Sequence, residues 1–426
     1  MQMQSQPAWF GQPRGLTILF LTEMWEKFSF FGMRALLVYY MVKHLHFEQG
    51  YASLVYGAYG AGVYLTPILG AYVSDRWLGK RAAIVIGSIT MAIGHFLMAS
   101  EPLFYVAMTT IAIGNGLFLP NLPSQVGQLY ARDDPRRQSA YSIYYLGVNV
   151  GAFFSPLVCG TLGEVYGWHY GFGAAGIGMC VGLAIYLAGS RYLPRDVKPQ
   201  ALPPSADAAR EPVPLGLLLA TALAVIVFRG AYEQSGNAMA LWMDTGVDRF
   251  AGSLAIPATW FQSLNPLFVF MLTPLVVAFW NRDTAPRPYR PRALRRMSLG
   301  AFGVALSYLL LSGVIAMAGG SLVHWGIVVA FFMLFTLAEI YILPVGLGLF
   351  ATLSPSRFTA TTIAAWFLAS FAGNFLAGYL GTWWSSMSPA AFFGAMGLVA
   401  AAAGVALAAL ALKTMSPAAD HAFSAR

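Results

Sequence analysis

The stretch "LTEMWEKFSFFGMRALLVYYM" (residues 21–41) places Glu23, Glu26, Lys27 and Arg34 within twelve residues of an otherwise apolar run. At the centre of a membrane helix each of these groups costs about 2.5–3.5 kcal/mol on insertion. At 100° per residue, Glu23, Glu26, Lys27, Phe30, Phe31 and Arg34 fall within one sector of about 140°. They form a stripe that faces partner charges or water rather than lipid. Its formal charge is zero, so a self-neutralising knot that only holds helices together is the structural alternative. Buried pairs stabilise poorly compared with apolar packing, which makes a conduction or binding role the better default. The chemistry offered is proton exchange: a carboxylate releases or takes a proton as its cationic partner approaches or withdraws. The cations also offer charge-assisted hydrogen bonds to a solute carboxylate, and Arg34 a bidentate fork.

Of 17 acidic residues, only Glu23, Glu26, Glu233 and Glu339 fall well inside apolar runs. Arg229 and Glu233, in "FRGAYEQSGNAMALW", have the i, i+4 spacing of an intrahelical pair. Glu339 stands five residues before Pro344 with no local partner, which leaves it either neutral or paired with the other half of the chain.

The elements that position these groups follow from hydropathy. The chain has 426 residues, 58% hydrophobic and only 10% charged, with a mean hydropathy of +0.62. A soluble domain carries about 25% charged residues, so this is an integral membrane protein. Continuous apolar runs rather than alternating ten-residue segments favour helices over a barrel. Runs near twenty residues predict twelve spans, at 15–44, 50–74, 81–100, 102–130, 138–163, 170–190, 215–243, 256–281, 294–318, 322–351, 358–385 and 389–413. This divides the chain into a six-helix bundle (1–190), a Pro- and Ala-rich linker (191–214), a second six-helix bundle (215–413) and a tail (414–426). Twenty of the 25 Lys and Arg fall in segments on one side, against Lys43 and Arg249 on the other; Lys27, Arg34 and Arg229 lie within spans. The asymmetry puts both termini and the linker in the cytoplasm. Two pseudo-symmetric halves with a site at mid-membrane are expected, and "NGLFLPNLPSQVGQLY" parallels "EIYILPVGLGLFATLS", with Pro120 against Pro344.

Other classes fit poorly. The net charge of +8 follows membrane topology rather than a nucleic-acid surface. Cys159 and Cys180 lack metal spacing and read as packing residues. The six histidines are scattered, without an H-E-x-x-H or similar motif, so no enzyme is expected. No loop is long enough for a sensor domain, and "MQMQSQPAWFGQPRG" resembles no cleavable signal.

"GAYVSDRWLGKRAA" (70–83) resembles the G-x-x-x-D-R-x-G-R-R signature of the major facilitator superfamily, in which Asp75 and nearby cations would latch helix ends. "EMWEKFSFFGMR" resembles the E-x-x-E-R-F-x-Y-Y-G motif of the proton-dependent oligopeptide transporters, the POT family. "YSIYYLGVNVGAFFSPLV" looks like that family's F-Y-x-x-I-N-x-G signature, and "YGWHYGFGAAGIGM", "YEQSG", "IPATWFQSLNPLFV", "AEIYILPVGLGL" and "WFLASFAGN" continue the match over about residues 15–400. The resemblance implies a major facilitator fold and proton-coupled symport of di- and tripeptides by a functional monomer. It also implies the bacterial cytoplasmic membrane as location, the proton gradient as driving force in place of a cofactor, and no nucleic-acid partner. By the same resemblance, Glu23 and Glu26 serve proton coupling and Glu233 the outer gate. Lys27 and Arg34 would hold the substrate carboxylate and Glu339 its amino end. Phe30, Phe31, Tyr64, Asn149, Asn265, Trp366 and Ser370 match pocket or gate positions.

Four departures stand out. Leu119 replaces the family lysine that normally pairs with the second motif glutamate, so Glu26 needs another partner. Phe30 and Phe31 replace the paired tyrosines, and Arg229 stands where an aromatic or apolar residue is expected, a cation able to replace the missing lysine's charge. The linker cannot hold the two extra helices of many bacterial relatives. An alternative expectation is therefore a family member that moves another small anionic or drug-like solute, with altered coupling.

Overall fold

A computed structural model describes residues 7–9, 11–131, 134–194, 214–282, 288–353 and 359–415. Most of the expected linker and tail lie outside the described residues, as do Arg132, Arg195, Lys198, Arg210, Arg287, Arg357 and Arg426 of the orientation argument. The chain is nearly all helical. In order come α1 (Arg14–Tyr39), α2 (Gln49–Val73), α3 (Lys80–Leu97), α4 (Phe104–Phe118), α5 (Asn121–Gln128), α6 (Arg136–Ser155) and α7 (Trp168–Gly189). They are followed by α8 (Leu215–Tyr232), α9 (Ala238–Thr245), α10 (Leu264–Trp280), α11 (Tyr289–Ala318), α12 (Trp325–Thr352), α13 (Thr359–Gly381) and α14 (Pro389–Met415). Among the described residues, eleven helical runs are long and apolar enough to cross a membrane. The expected first span, α1, is the twelfth; its charges set it apart.

Two expected spans are interrupted. The fourth is α4 and α5, hinged where Leu119 N–H makes the last bond to Asn115 O at 2.9 Å and Pro120 has no N–H to continue the ladder. Pro344, its counterpart in the weak internal repeat, sits inside an α12 that runs on unbroken. The seventh is α8, a 3₁₀ turn at Glu233–Gly236 and α9, broken where Asn237 leaves helical geometry at φ −111°, ψ −99°. The ninth span begins at Tyr289, not 294. Its Arg-rich first turns end the apolar run without ending the helix, and Pro291 is tolerated where backbone N–H groups need no partner.

The described residues fall into two compact units, residues 1–45 with 62–203 and residues 46–61 with 204–426. In the first, α1 packs on α6 and α7, and α3 on α4 and α7. In the second, α11 packs on α12 and α14, α13 and α14 on α8, and α10 on α12. The opening turns of α2 belong to the second unit: Ser53 Oγ donates to Asn237 Oδ1 at 3.1 Å and Gln49 Nε2 to Gly381 O at 3.0 Å. Gly57 is required there, because a Cβ would lie 2.5 Å from Gly378 Cα. The later turns belong to the first unit, with Thr66 Oγ1 donating to Ala112 O at 2.7 Å and Asn115 Nδ2 to Val63 O at 3.2 Å. In the segment expected to act as a latch, Lys80 bonds Ser124 Oγ and Arg81 Nη2 donates to Ser190 O at 2.5 Å, so both cations meet neutral oxygens. Cys159 is buried against Gly32, whereas Cys180 is exposed.

Candidate functional site

The α1 stripe folds into a triad. Lys27 Nζ lies 3.4 Å from Glu23 Oε1, one helical turn away, and 2.7 Å from Glu26 Oε2. Glu23 is 2% exposed, Glu26 0% and Lys27 9%, so the group is sealed. The close approach of α1 to α6 explains the seal: Gly151 admits the Met24 backbone, where a Cβ would collide. Tyr144, also on α6, lies near enough to interact electrostatically with Glu23 and Glu26. Lys27 Nζ sits 5.9 Å from the Phe30 ring centroid, and Phe30 meets Phe31 edge-on at 5.2 Å and 84°. The partner Glu26 needs in the absence of a lysine at position 119 is thus the next residue in the chain. Leu119 itself is half-buried at the end of α4.

Around the triad, Arg34 is half-buried about two turns beyond Lys27, and Tyr64 is half-buried on α2. Asn149 on α6 is buried and gives an amide proton to Tyr145 O at 3.0 Å. Two carboxylates sharing one ammonium leave one negative charge uncompensated within the triad itself. A single proton makes the three groups neutral, which is the simplest chemistry this geometry offers.

The second unit carries a different arrangement. Arg229 Nη1 meets Glu233 Oε1 at 2.8 Å, both side chains buried, so the cation at this unexpected position engages the acid on its own helix. Glu339, on α12, finds its neighbours within the same unit: Asn265 Nδ2 on α10 donates to Oε2 at 2.5 Å, and the Tyr232 hydroxyl lies near enough to interact with the same carboxyl. Asn265 Nδ2 also donates to Thr336 Oγ1 at 3.0 Å. Glu233 and Arg229 lie close enough to Glu339 to act on it electrostatically. Glu339 and Asn265 are half-buried, less enclosed than the α1 triad. Trp366 is buried against Phe350 (5.3 Å, 70°) and over Gly346. Ser370 is fully buried and donates to Trp366 O at 2.9 Å, so its hydroxyl is committed to its own helix.

Of the residues singled out by sequence, the structure brings Glu23, Glu26, Lys27 and Phe30 together in one unit and Arg229, Glu233, Asn265 and Glu339 together in the other. Sequence reasoning missed Tyr144, Tyr232 and Thr336, whose roles depend on contacts between helices far apart in the chain. Among the described residues, no group of three His, Cys, Asp or Glu could hold a metal ion.

The sequence profile of the POT family matches residues 81–208 and 215–403. The chain is 31% identical to the uncharacterized transporter YclF of Bacillus subtilis (strain 168), over 92% of each chain. It is 29% identical to a di-/tripeptide transporter of Lactococcus lactis subsp. cremoris, over 95% of this chain and 96% of that relative. A crystal structure of a mutant peptide transporter POT in complex with alafosfalin superposes with a TM-score of 0.87, at 29% identity and 96% coverage of both chains. The fold is thus the major facilitator fold of those transporters. This multi-pass membrane protein belongs to the POT family and is a transporter, not an enzyme.

Proposed function

We propose that the protein is a proton-coupled symporter that takes up di- and tripeptides by alternating access, with both termini in the cytoplasm and the bacterial inner membrane as its location. One observation carries the reading: the sealed Glu23–Glu26–Lys27 triad holds one more carboxylate than cation, while Glu339 is a half-buried carboxylate hydrogen-bonded by the neutral amide of Asn265. The triad is the proton-exchanging element, with Glu26 as its fully buried acid. Glu233 takes part by pairing with and releasing Arg229. Arg34 receives the peptide carboxylate, joined by Lys27 when protonation of a triad carboxylate frees its ammonium; Glu339, steadied by Asn265, receives the amino end. Phe30, Phe31, Tyr64, Asn149 and Arg229 provide side-chain space and polar contacts, and Trp366 and Ser370 form the wall behind. Opposite charges for the two ends read peptide length, and apolar walls tolerate many side chains. The proton gradient is the only driving force required, without a cofactor, and a monomer suffices.

Reconstitution tests the proposal. Proteoliposomes given a labelled dipeptide and an inward proton gradient are expected to accumulate it, and unlabelled di- and tripeptides to compete. Accumulation that ignores the gradient rejects the symport; competition by unrelated anions but not peptides rejects the substrate class.

A further inference from the structure

Tyr232 closes α8 immediately before Glu233, and the scheme above gives it no part. Its ring is fixed on two sides: it stacks on Phe228 of its own helix at 5.6 Å and 25°, and on Phe335 of α12 at 5.1 Å and 14°. Phe335 lies one turn before Glu339, so ring and carboxylate share a face of α12. A tyrosine laid flat on Phe335 therefore brings its hydroxyl beside Glu339, near enough for the two groups to interact. Phe335 is itself fully buried and stacked on Phe331 at 5.2 Å and 28°, which makes the platform rigid. Asn265 gives its amide protons to Glu339 Oε2 and Thr336 Oγ1. Tyr232 and Glu339 are both half-buried.

We propose that Tyr232 is a positioning residue that aims the Glu339 carboxylate at the amino group of the solute and sets how strictly a charged amino end is demanded. The inference rests on the reading of Glu339 as the amino-end acceptor. Two neutral donors orient the carboxylate without cancelling its charge, so the anion keeps its attraction for an ammonium; a cation in either place would compete with it. The stacked ring leaves the hydroxyl few alternative positions, and orientation paid for in advance strengthens binding.

Tyr232→Phe tests this, since it keeps both stacks and removes only the hydroxyl. In proteoliposomes, the KM for dialanine is expected to rise about tenfold, the size of one hydrogen bond to a charged group, with a smaller change in maximal rate. The inhibition constant of N-propionyl-alanine, which has no amino group, should stay at the wild-type value, so the preference for the charged amine shrinks. Glu339→Gln should abolish that preference altogether. If it survives in Glu339→Gln, the reading of Glu339 is wrong and the inference falls with it. If Glu339→Gln abolishes it but Tyr232→Phe leaves it intact, or weakens both compounds equally, Tyr232 has no positioning role. Phe335→Leu, which removes the platform and keeps the hydroxyl, should also reduce the preference, and an unchanged value there counts against the inference independently of how well Tyr232→Phe folds.

Discussion

The two charged clusters use the same residue types and handle burial in opposite ways. On α1, one ammonium is shared by two carboxylates in a sealed site; in the second unit, Arg229 meets Glu233, and the remaining acid, Glu339, is half-buried, bonded by an amide and flanked by a phenol. A sealed group short of positive charge is suited to exchanging the smallest cation. A less enclosed anion oriented by neutral donors is suited to a larger one. The difference teaches that partner count and access, rather than the presence of charge, separate a coupling element from a recognition element.

That contrast breaks most visibly at Lys27. Lys27→Met leaves two sealed carboxylates without a cation, and losing one partner of a buried ion pair costs about 3–5 kcal/mol. The variant is expected to lose most of its folded population in thermal melting and all peptide uptake, with Lys27→Met/Glu26→Gln partly restoring the fold. Glu26→Gln alone should fold but reduce accumulation against a gradient by about tenfold or more, a typical coupling free energy, while exchange of peptide across the membrane persists. Intact accumulation would remove Glu26 from the coupling role. Leu119→Lys sharpens the question of whether Glu26 wants another cation. With Lys27 already 2.7 Å away, accumulation should change by no more than about threefold, the range of a partly solvated ion pair. A much larger gain in uptake assays would show that the triad is incomplete as it stands.

The smallest effect is expected at the Asp134–Arg136 pair, where Asp134 precedes the first turn of α6. Hydrogen bonds from Arg136 hold the Asp134 carboxyl below the usual carboxylate range. A lowered value means that its contribution is fully present at neutral pH and fades only as the pH falls through that depressed value. Because Arg136 is exposed and Asp134 only partly covered, Asp134→Asn should melt within about a degree of the wild-type temperature at pH 7. A clear shift would mean that this pair, unlike the sealed triad, is stabilising beyond what its exposure allows.

Much of this architecture is legible before any coordinates. Apolar runs locate the spans to within a few residues, but the continuous run 102–130 does not foretell the break of the fourth at Pro120. The i, i+4 spacing of Arg229 and Glu233, and of Glu23 and Lys27, encodes their pairing directly, because such pairs need only one helix to form. Glu339 differs: its neighbours come from α8 and α10, and no local pattern names them. Tyr232 reads as an ordinary aromatic beside a glutamate until the stack on Phe335 is seen. Ser370 and Trp366 show the reverse limit, since a polar or aromatic residue at a matching position can be turned into the helix or packed against Phe350. Nor does the hydropathy of α2 reveal that its two halves take different neighbours.

That division of α2 bears on how the protein tolerates being cut. A break within 195–213 leaves the C-terminal fragment without residues 46–61, exposing the glycine notch at Gly378 and the amide of Asn237 that those turns cover. Fragment complementation should therefore be lopsided: the C-terminal piece needs its companion polypeptide, or at least a peptide spanning 46–61, to mature, and supplying that short helix in trans becomes a handle for switching assembly on.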